Sequence, residues 1–221
     1  MDETTEGKVG EHALTAIRTD ILFGRLAPGR RLTLDKLRTA YGVSVSTLRE
    51  VLSRLAAEDL VVAEGNKGFR VAPVSEQDLN DIADLRRLLE EHALALSFDL
   101  GDLDWEGRVV AAHHKLAAIE RRLVAGEDVD QQLWKRFDWE FHQALISACG
   151  SEHLMRAHAG AFDKYLRYQM IAMSFRGEVA ATEHADLAEA AMARDVGRAR
   201  ALLAHHIAGG VEVAMRSPKI S

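Results

Sequence analysis

The sequence is short of the residues that staple, break or span. One cysteine, Cys149, excludes an intramolecular disulfide and offers too little sulfur for a thiolate zinc site, so its ordinary role is that of a small buried apolar residue. Three prolines in 221 residues leave long helices possible. No apolar run approaches the roughly 20 residues needed to cross a bilayer, and Met1-Asp2-Glu3-Thr4 lacks the basic-then-apolar layout of a signal peptide. A cytoplasmic protein with no membrane partner is therefore expected. Positive charge is also scarce: 28 Lys and Arg stand against 34 Asp and Glu, a net −6 that by itself argues against nucleic acid.

What is present is an ordinary globular composition, 48% hydrophobic and 28% charged, at a length that suits one large domain or two modest ones. Charge is unevenly placed. Residues 1–74 hold 11 basic and 10 acidic side chains, so the deficit falls on residues 75–221, with 17 and 24. Between Arg25 and Arg54, Arg25, Arg30, Arg31, Lys36, Arg38, Arg49 and Arg54 face only Asp35 and Glu50. That local excess is the electrostatic feature to be explained.

After a polar start, Ala13, Leu14, Ile17, Ile21 and Leu22 recur at helical spacing. Pro28-Gly29 forces a turn, and Arg31-Leu32-Thr33 reads as extended. A helix from Thr33 or Leu34 to Ala40 is closed by Gly42, and Ser44 or Ser46 caps a third carrying Leu48, Val51, Leu52 and Leu55, with Glu50 and Arg54 paired one turn apart. Helix, tight turn, helix is the helix-turn-helix pattern. Leu60-Val61-Val62 and Phe69-Arg70-Val71, separated by Glu64-Gly65-Asn66-Lys67-Gly68, read as a hairpin wing. Beyond Pro73, Ser75 caps a new helix, and every substantial segment to Met215 is helical: Leu79, Ile82, Leu85, Leu89 and Leu96 trace the first, Val109 to Val124 the second and Leu133 to Ala148 the third, with later breaks at Gly150-Ser151, Arg176-Gly177 and Arg194-Asp195.

The expected architecture is mainly α, a winged helix-turn-helix joined to an all-helical bundle. Its divisions are a flexible N-terminus (1–12), a winged helix-turn-helix domain (13–74), a short linker (75–77), a helical domain (78–215) and a tail (216–221).

In the third helix Leu48 and Leu52 turn to the core, leaving Ser44, Ser46, Thr47 and Arg49 outward near its N-terminus, where amides and hydroxyls suit phosphate and Arg49 suits guanine or phosphate. Lys67 and Gly68 at the wing tip suit the adjacent minor groove. The plainer alternative is a capped surface helix with solvated charges.

Residues 14–74 resemble the winged helix of the GntR superfamily of transcription regulators. The likeness is carried by Leu26-Ala27-Pro28-Gly29-Arg30-Arg31-Leu32, Tyr41-Gly42-Val43-Ser44, Leu48-Arg49-Glu50-Val51-Leu52-Ser53-Arg54-Leu55 and Gly68-Phe69-Arg70-Val71. The chain departs where the family places arginine after the serine and often a proline, having Val45 and Thr47. Arg38, Ser46 and Arg49 are assigned the missing contact, with Val45 free for a thymine methyl, and Arg54 is counted among the DNA-facing residues.

In the second half, Asp138 and His142 lie one helical turn apart on a face shared with Leu145 and Cys149. His184 lies on a stripe with Ala180, Leu187 and Ala191, and His206 aligns with Leu202, Leu203 and Val213, whereas His205 looks outward. One carboxylate and three imidazoles converging inside a bundle suit a divalent metal, zinc or nickel among them. A histidine taken singly is more often a core or surface residue, and His12, His92, His113, His114, His153 and His158 keep that reading.

Residues 78–215 resemble the helical effector domain of the FadR-like branch, the FCD type, through Asp84-Leu85-Arg86-Arg87-Leu88-Leu89-Glu90, Asp138-Trp139-Glu140-Phe141-His142, Glu183-His184 and Ala199 to Ile207. The resemblance implies a metal held by Asp138, His142, His184 and His206, and a small carboxylate effector met by Arg86, which the helix period places inward beside Ile82 and Leu89. A surface pair of Arg86 with Glu90 is the alternative. It further implies a homodimer on a pseudo-palindromic double-stranded operator, nucleoid-associated when bound, and commonly a repressor. A metal-dependent hydrolase using the same cage is the competing class. The sequence has no His-Glu-x-x-His, Gly-x-Ser-x-Gly or phosphate loop to support it, and Glu140 and Glu183 read as lying on other helix faces.

Overall fold

The computed structural model describes residues 3–172 and 175–220. Met1 and Asp2 of the expected free N-terminus and Ser221 of the tail lie outside the described residues. The chain separates between Ser75 and Glu76 into two compact units.

The first unit opens with α1 (Glu3–Leu22), which begins ten residues before the apolar repeat does. The polar stretch expected to be free is thus helical from Glu3. Only the later part, with Ala13, Leu14, Ile17 and Ile21, carries buried apolar residues. After β1 (Arg31–Leu32) comes α2 (Leu34–Tyr41), closed by Gly42 in the left-handed region at φ 67, which a side chain would strain. The helix α3 (Val45–Ala57) is capped by Ser44, whose Oγ accepts the Thr47 amide at 3.1 Å. Leu48, Val51, Leu52 and Leu55 of α3 are buried in one core with Ile17, Ile21 and Val71.

The strands β2 (Val61–Ala63) and β3 (Phe69–Val71) form the wing hairpin, and β1 adds to it in the order β1-β3-β2, both pairings antiparallel. The two-residue β1 was legible only as an extended segment. Its place in the sheet depends on the Pro28-Gly29 turn, where Gly29 N–H donates to Val71 O at 3.1 Å and Arg70 reaches Gly29 O at 2.8 Å.

The second unit comprises α4 (Glu76–Leu100), α5 (Leu103–Val124), α6 (Gln131–Ile146), α7 (Glu152–Ala172), α8 (Glu178–Met192) and α9 (Val196–Met215). Within it, α4 packs on α6, α7 and α9, α5 on α6 and α8, and α8 on α9. The chain breaks fall where the sequence placed them. On α4 the inward stripe is not all leucine: Leu79, Ile82, Arg86 and Glu90 are buried while Leu85 is exposed, because two charged residues share the core-facing line with the apolar ones. Close approach of α7 and α9 is fixed at Gly210, where any Cβ would meet Tyr165 Oη and Gln169 donates to the Gly210 carbonyl at 3.1 Å. No described helix is long and apolar enough to cross a membrane.

Leu52, fully buried on α3, sets the stability of the first unit. Leu52→Ala is expected to lower its unfolding free energy by about 2–5 kcal/mol, read from hydrogen exchange of α3 amides, whereas Arg49→Ala stays within about 0.5 kcal/mol.

Candidate metal centre and DNA-facing surface

In the first unit, Ser44, Ser46 and Thr47 form a hydroxyl cluster at the α3 N-terminus, with Ser44 Oγ 2.7 Å from Ser46 Oγ and 2.8 Å from Thr47 Oγ1. Arg49 lies exposed one turn further along α3, and Arg38 is exposed near the end of α2. Lys67 ends a short 3-10 turn (Gly65–Lys67) at the wing tip, held by Arg31, which donates to Lys67 O at 2.7 Å; Gly68 follows at φ 93. Arg54 is placed differently from its sequence reading. Instead of pairing with Glu50 it donates to Glu11 of α1 at 2.5 Å, which commits its guanidinium to the packing of two helices. Arg25 is likewise held by Asp20 and Arg70 by Glu64. Part of the basic excess is therefore paired within the unit, and of the cations the sequence assigns to DNA, Arg38, Arg49 and Lys67 are exposed without an ion pair among the described residues.

In the second unit, Asp138, His142, His184 and His206 come together, each offering a ligand atom within 4.8 Å of the others, and all four are buried. Asp138 and His142 come from α6, His184 from α8 and His206 from α9. His184 Nε2 stands 3.3 Å from Asp138 Oδ1 and His142 Nε2 3.9 Å from it. Both nitrogens are buried and lack an aligned hydrogen-bond partner among the described residues.

The reverse side of each imidazole explains why these nitrogens face inward. His142 Nδ1 lies 2.5 Å from Glu90 Oε1, His184 Nδ1 2.7 Å from Glu120 Oε1, and His206 Nδ1 2.8 Å from Glu183 Oε2. A carboxylate accepts only from a ring N–H, so these shorter contacts favour a proton on Nδ1 over the guanidinium contacts of Arg86 at 3.2 Å to His142 and Arg176 at 3.0 Å to His206, and turn the opposite nitrogen toward the shared centre. Glu90 also accepts from Arg86 Nε at 3.0 Å and from His158 Nε2 at 2.9 Å, while Gln143 Nε2 is 2.8 Å from His158 Nδ1. Arg176, in the loop between α7 and α8, braces Glu183 at 2.5 Å.

Burial dominates the proton affinities here and neighbouring charges modulate it. Desolvation holds His142 and, further, His206 below the usual imidazole range, so both are neutral. For His184 desolvation acts the same way but is outweighed by the carboxylates of Asp138, 3.3 Å from Nε2, and Glu120, which lift it to about 9. Burial would raise Asp138, yet Lys135 beside it and its bonding with His184 hold it well below the usual carboxylate range. A preorganised set of one carboxylate and three imidazoles, two with their inward nitrogens unsatisfied and all three held from behind, fits a borderline divalent cation. Asp138, His142, His184 and His206 would hold it.

Beside the cage lies a cavity of about 20 Å³ lined in part by Arg86, Lys135, Tyr165, Gln169 and Arg176. It admits about one water. Arg86 is buried and faces inward, stacked over the rings of Phe162 and Tyr165, and it also pairs with Glu90. The two readings of Arg86 thus hold together, because its partner Glu90 is itself buried.

The model of the bacterial regulatory proteins of the gntR family matches residues 10–71, and that of the FCD domain matches residues 81–209. The chain belongs to the GntR family. It is 38% identical over 205 residues to BphR of Paraburkholderia xenovorans, an uncharacterized HTH-type transcriptional regulator, covering 92% of this chain and 84% of that one. It is 34% identical over 199 residues to GlaR of Escherichia coli, an HTH-type transcriptional repressor, covering 86% and 89%. In fold it is similar to Escherichia coli McbR/YncC, with a TM-score of 0.78 at 19% identity over 94% of this chain and 97% of that one.

Within this GntR-family regulator, sequence reasoning missed the buried glutamates. Glu183 was assigned to another face of α8 than His184; it is buried and holds His206 across the helix pair. His158, given a bland reading, is fully buried against Glu90. The available signal was Glu120 on the otherwise apolar inward face of α5, and Glu90 one turn after the inward Arg86 on α4.

Two outcomes follow from this geometry. Glu183→Gln, which keeps shape and removes the charge behind His206, should weaken zinc affinity by about 10–100-fold in a competition titration with a chromophoric chelator. In chelator-treated protein the raised His184 contributes stability that is complete below its ordinary value of 6.5 and lost as pH rises through about 9. The melting temperature of metal-free protein should therefore fall between pH 7 and 9 by more than that of zinc-loaded protein, in which His184 carries no such proton. Equal pH slopes would remove His184 from the cage.

Proposed function

We propose that this regulator is a cytoplasmic homodimeric repressor of the FadR-like branch, whose hold on a double-stranded operator is set by a small carboxylate bound beside a divalent metal, zinc or nickel. The observation that supports the metal is the triple Nδ1–carboxylate support of His142, His184 and His206.

Charge supports the class of effector. Around the centre, Glu90, Glu120, Asp138 and Glu183 oppose Arg86, Lys135 and Arg176, and protonated His184 brings the metal-free site to neutrality. When a divalent cation takes the place of the His184 proton, the same shell carries one positive charge in excess. A single carboxylate cancels it. A metal bound there supplies a Lewis-acidic anchor for that anion. Arg86, Lys135 and Arg176 then supply directional N–H donors, and Tyr165 and Gln169 line the same cavity.

The cavity's small volume gives binding a structural consequence. An organic acid needs more space than one water occupies, so its entry must displace side chains on the wall. Lys135, 3.5 Å from Asp138 and over the Trp134 ring, and Arg176, on a loop, are the residues to move. If the displaced arrangement differs in DNA affinity, the acid shifts the population between the two.

On the DNA side, the Ser44, Ser46 and Thr47 cluster at the α3 N-terminus with Arg49 is assigned to the major groove. Arg38 is assigned to phosphate, and Lys67 with Gly68 to the adjacent minor groove. Two chains on a pseudo-palindrome place two such helices about one DNA turn apart. The hydrolase alternative gains no specific support, and the relatives that match along most of the chain are named as transcription regulators.

A gel-shift titration with the chain's own upstream region tests this reading. Arg49→Ala is expected to weaken binding by about tenfold. A panel of small organic acids is expected to release the metal-loaded wild type and to leave chelator-treated protein bound. Unchanged affinity in Arg49→Ala removes its assignment, and release that ignores the metal contradicts the effector site.

A further inference from the structure

We infer that the groove between α5 and α8 is a second ligand site, separate from the metal cage, that takes a small aliphatic ammonium ion. The groove encloses about 560 Å³, within the range of about 300–1,000 Å³ usual for small-molecule pockets. Its residues include Ala117 on α5 and Ala181 and Ala185 on α8, whose small side chains leave a channel wide enough for an alkyl chain.

Two polar groups on the α5 wall lack partners. Glu120 is 1% exposed, and its Oε1 is occupied by His184, while its Oε2 is buried with no hydrogen-bond partner among the described residues. His113, two turns earlier on the same helix, has its Nε2 in the same condition. A buried carboxylate oxygen without a donor is costly, and a ligand N–H group in the groove would relieve it. A cationic donor makes the stronger bond. Burial, followed by the nearby charge of His184, holds His113 below its usual value, so the imidazole adds no competing positive charge.

The rim agrees in sign. Glu178 and Asp186 stand at the α8 edge, with Asp186 engaged by Arg198 at 3.1 Å, and Arg121 is the one basic residue among those lining the groove. An ammonium headgroup on Glu120, an alkyl chain along the alanines and a second polar end at the acidic rim satisfy these features together. The site does not depend on the metal reading, because Oε2 is left over whether His184 carries a proton or a metal.

The test is a saturation-transfer NMR titration of the purified full-length chain with 1,4-diaminobutane, and with 1,4-butanediol as the uncharged counterpart. Saturable binding of the diamine and none of the diol is expected. Ala185→Arg, at an exposed position, should weaken diamine binding by about tenfold or more by placing a like charge in the groove. Arg121→Glu, also at an exposed position, should strengthen it by about threefold, the scale of one exposed ion pair. No saturable diamine binding to wild type, equal binding of the diol, or unchanged affinity in Ala185→Arg overturns the assignment. Metal content measured on the same samples separates this result from the fate of the cage, since loss of metal with retained diamine binding counts against the cage alone.

Discussion

The second unit is organised around a hydrogen bond repeated three times: a buried glutamate accepting the Nδ1 proton of a buried histidine. Each bond crosses between helices, α4 to α6, α5 to α8 and α8 to α9. Charged groups taken from water are expensive unless paired and fully bonded, and removing either member of a pair leaves its buried partner short of a hydrogen bond, most completely at Glu120, whose donor is His184. The apolar contacts of the bundle tolerate sliding of one helix on another far better than these bonds do. Helix register is therefore set by the polar centre, and α7 joins it through His158 on Glu90 and through Tyr165 and Gln169 bonded to the α9 backbone.

That construction connects stability to function. Under the proposed function a divalent cation completes this centre in place of the His184 proton, and the exchange would leave the shell with room for one anion. The cations serving that anion are already bonded, Arg86 to Glu90, Lys135 to Asp138 and Arg176 to Glu183. An acid bound there as proposed would compete with these internal carboxylates, which favours acids that also reach a bound metal. The first unit works on a different principle. Its core is apolar; Arg54, Arg70 and Arg31 are bonded within the unit, whereas Arg38, Arg49 and Lys67 are exposed without an ion pair among the described residues.

The sequence was most readable where a property repeats along one element. Ser44 as a cap, Gly42 as a helix stop, the wing strands and the inward faces of α6, α8 and α9 all follow from local spacing. Asp138 and His142 were visible because four residues make one turn, and His184 and His206 because each shares a stripe with aliphatic residues. What was hidden depends on register between helices. Glu183 sits beside His184 in sequence, yet it serves His206 on another helix, and no periodicity within α8 contains that information. Arg54 has two acidic candidates within reach of its own helix turn and takes Glu11 from α1 instead. Leu85 fits the repeat of α4, but the inward line is held by Arg86 and Glu90 because the bundle's centre is ionic.

X-ray absorption at the metal edge of zinc-loaded full-length protein addresses the cage most directly. Three imidazole nitrogens and oxygen donors at about 2.0–2.2 Å, with one imidazole lost in His206→Ala, is the expected first shell. A shell containing sulfur, or one with fewer than three imidazoles in the wild type, would contradict it.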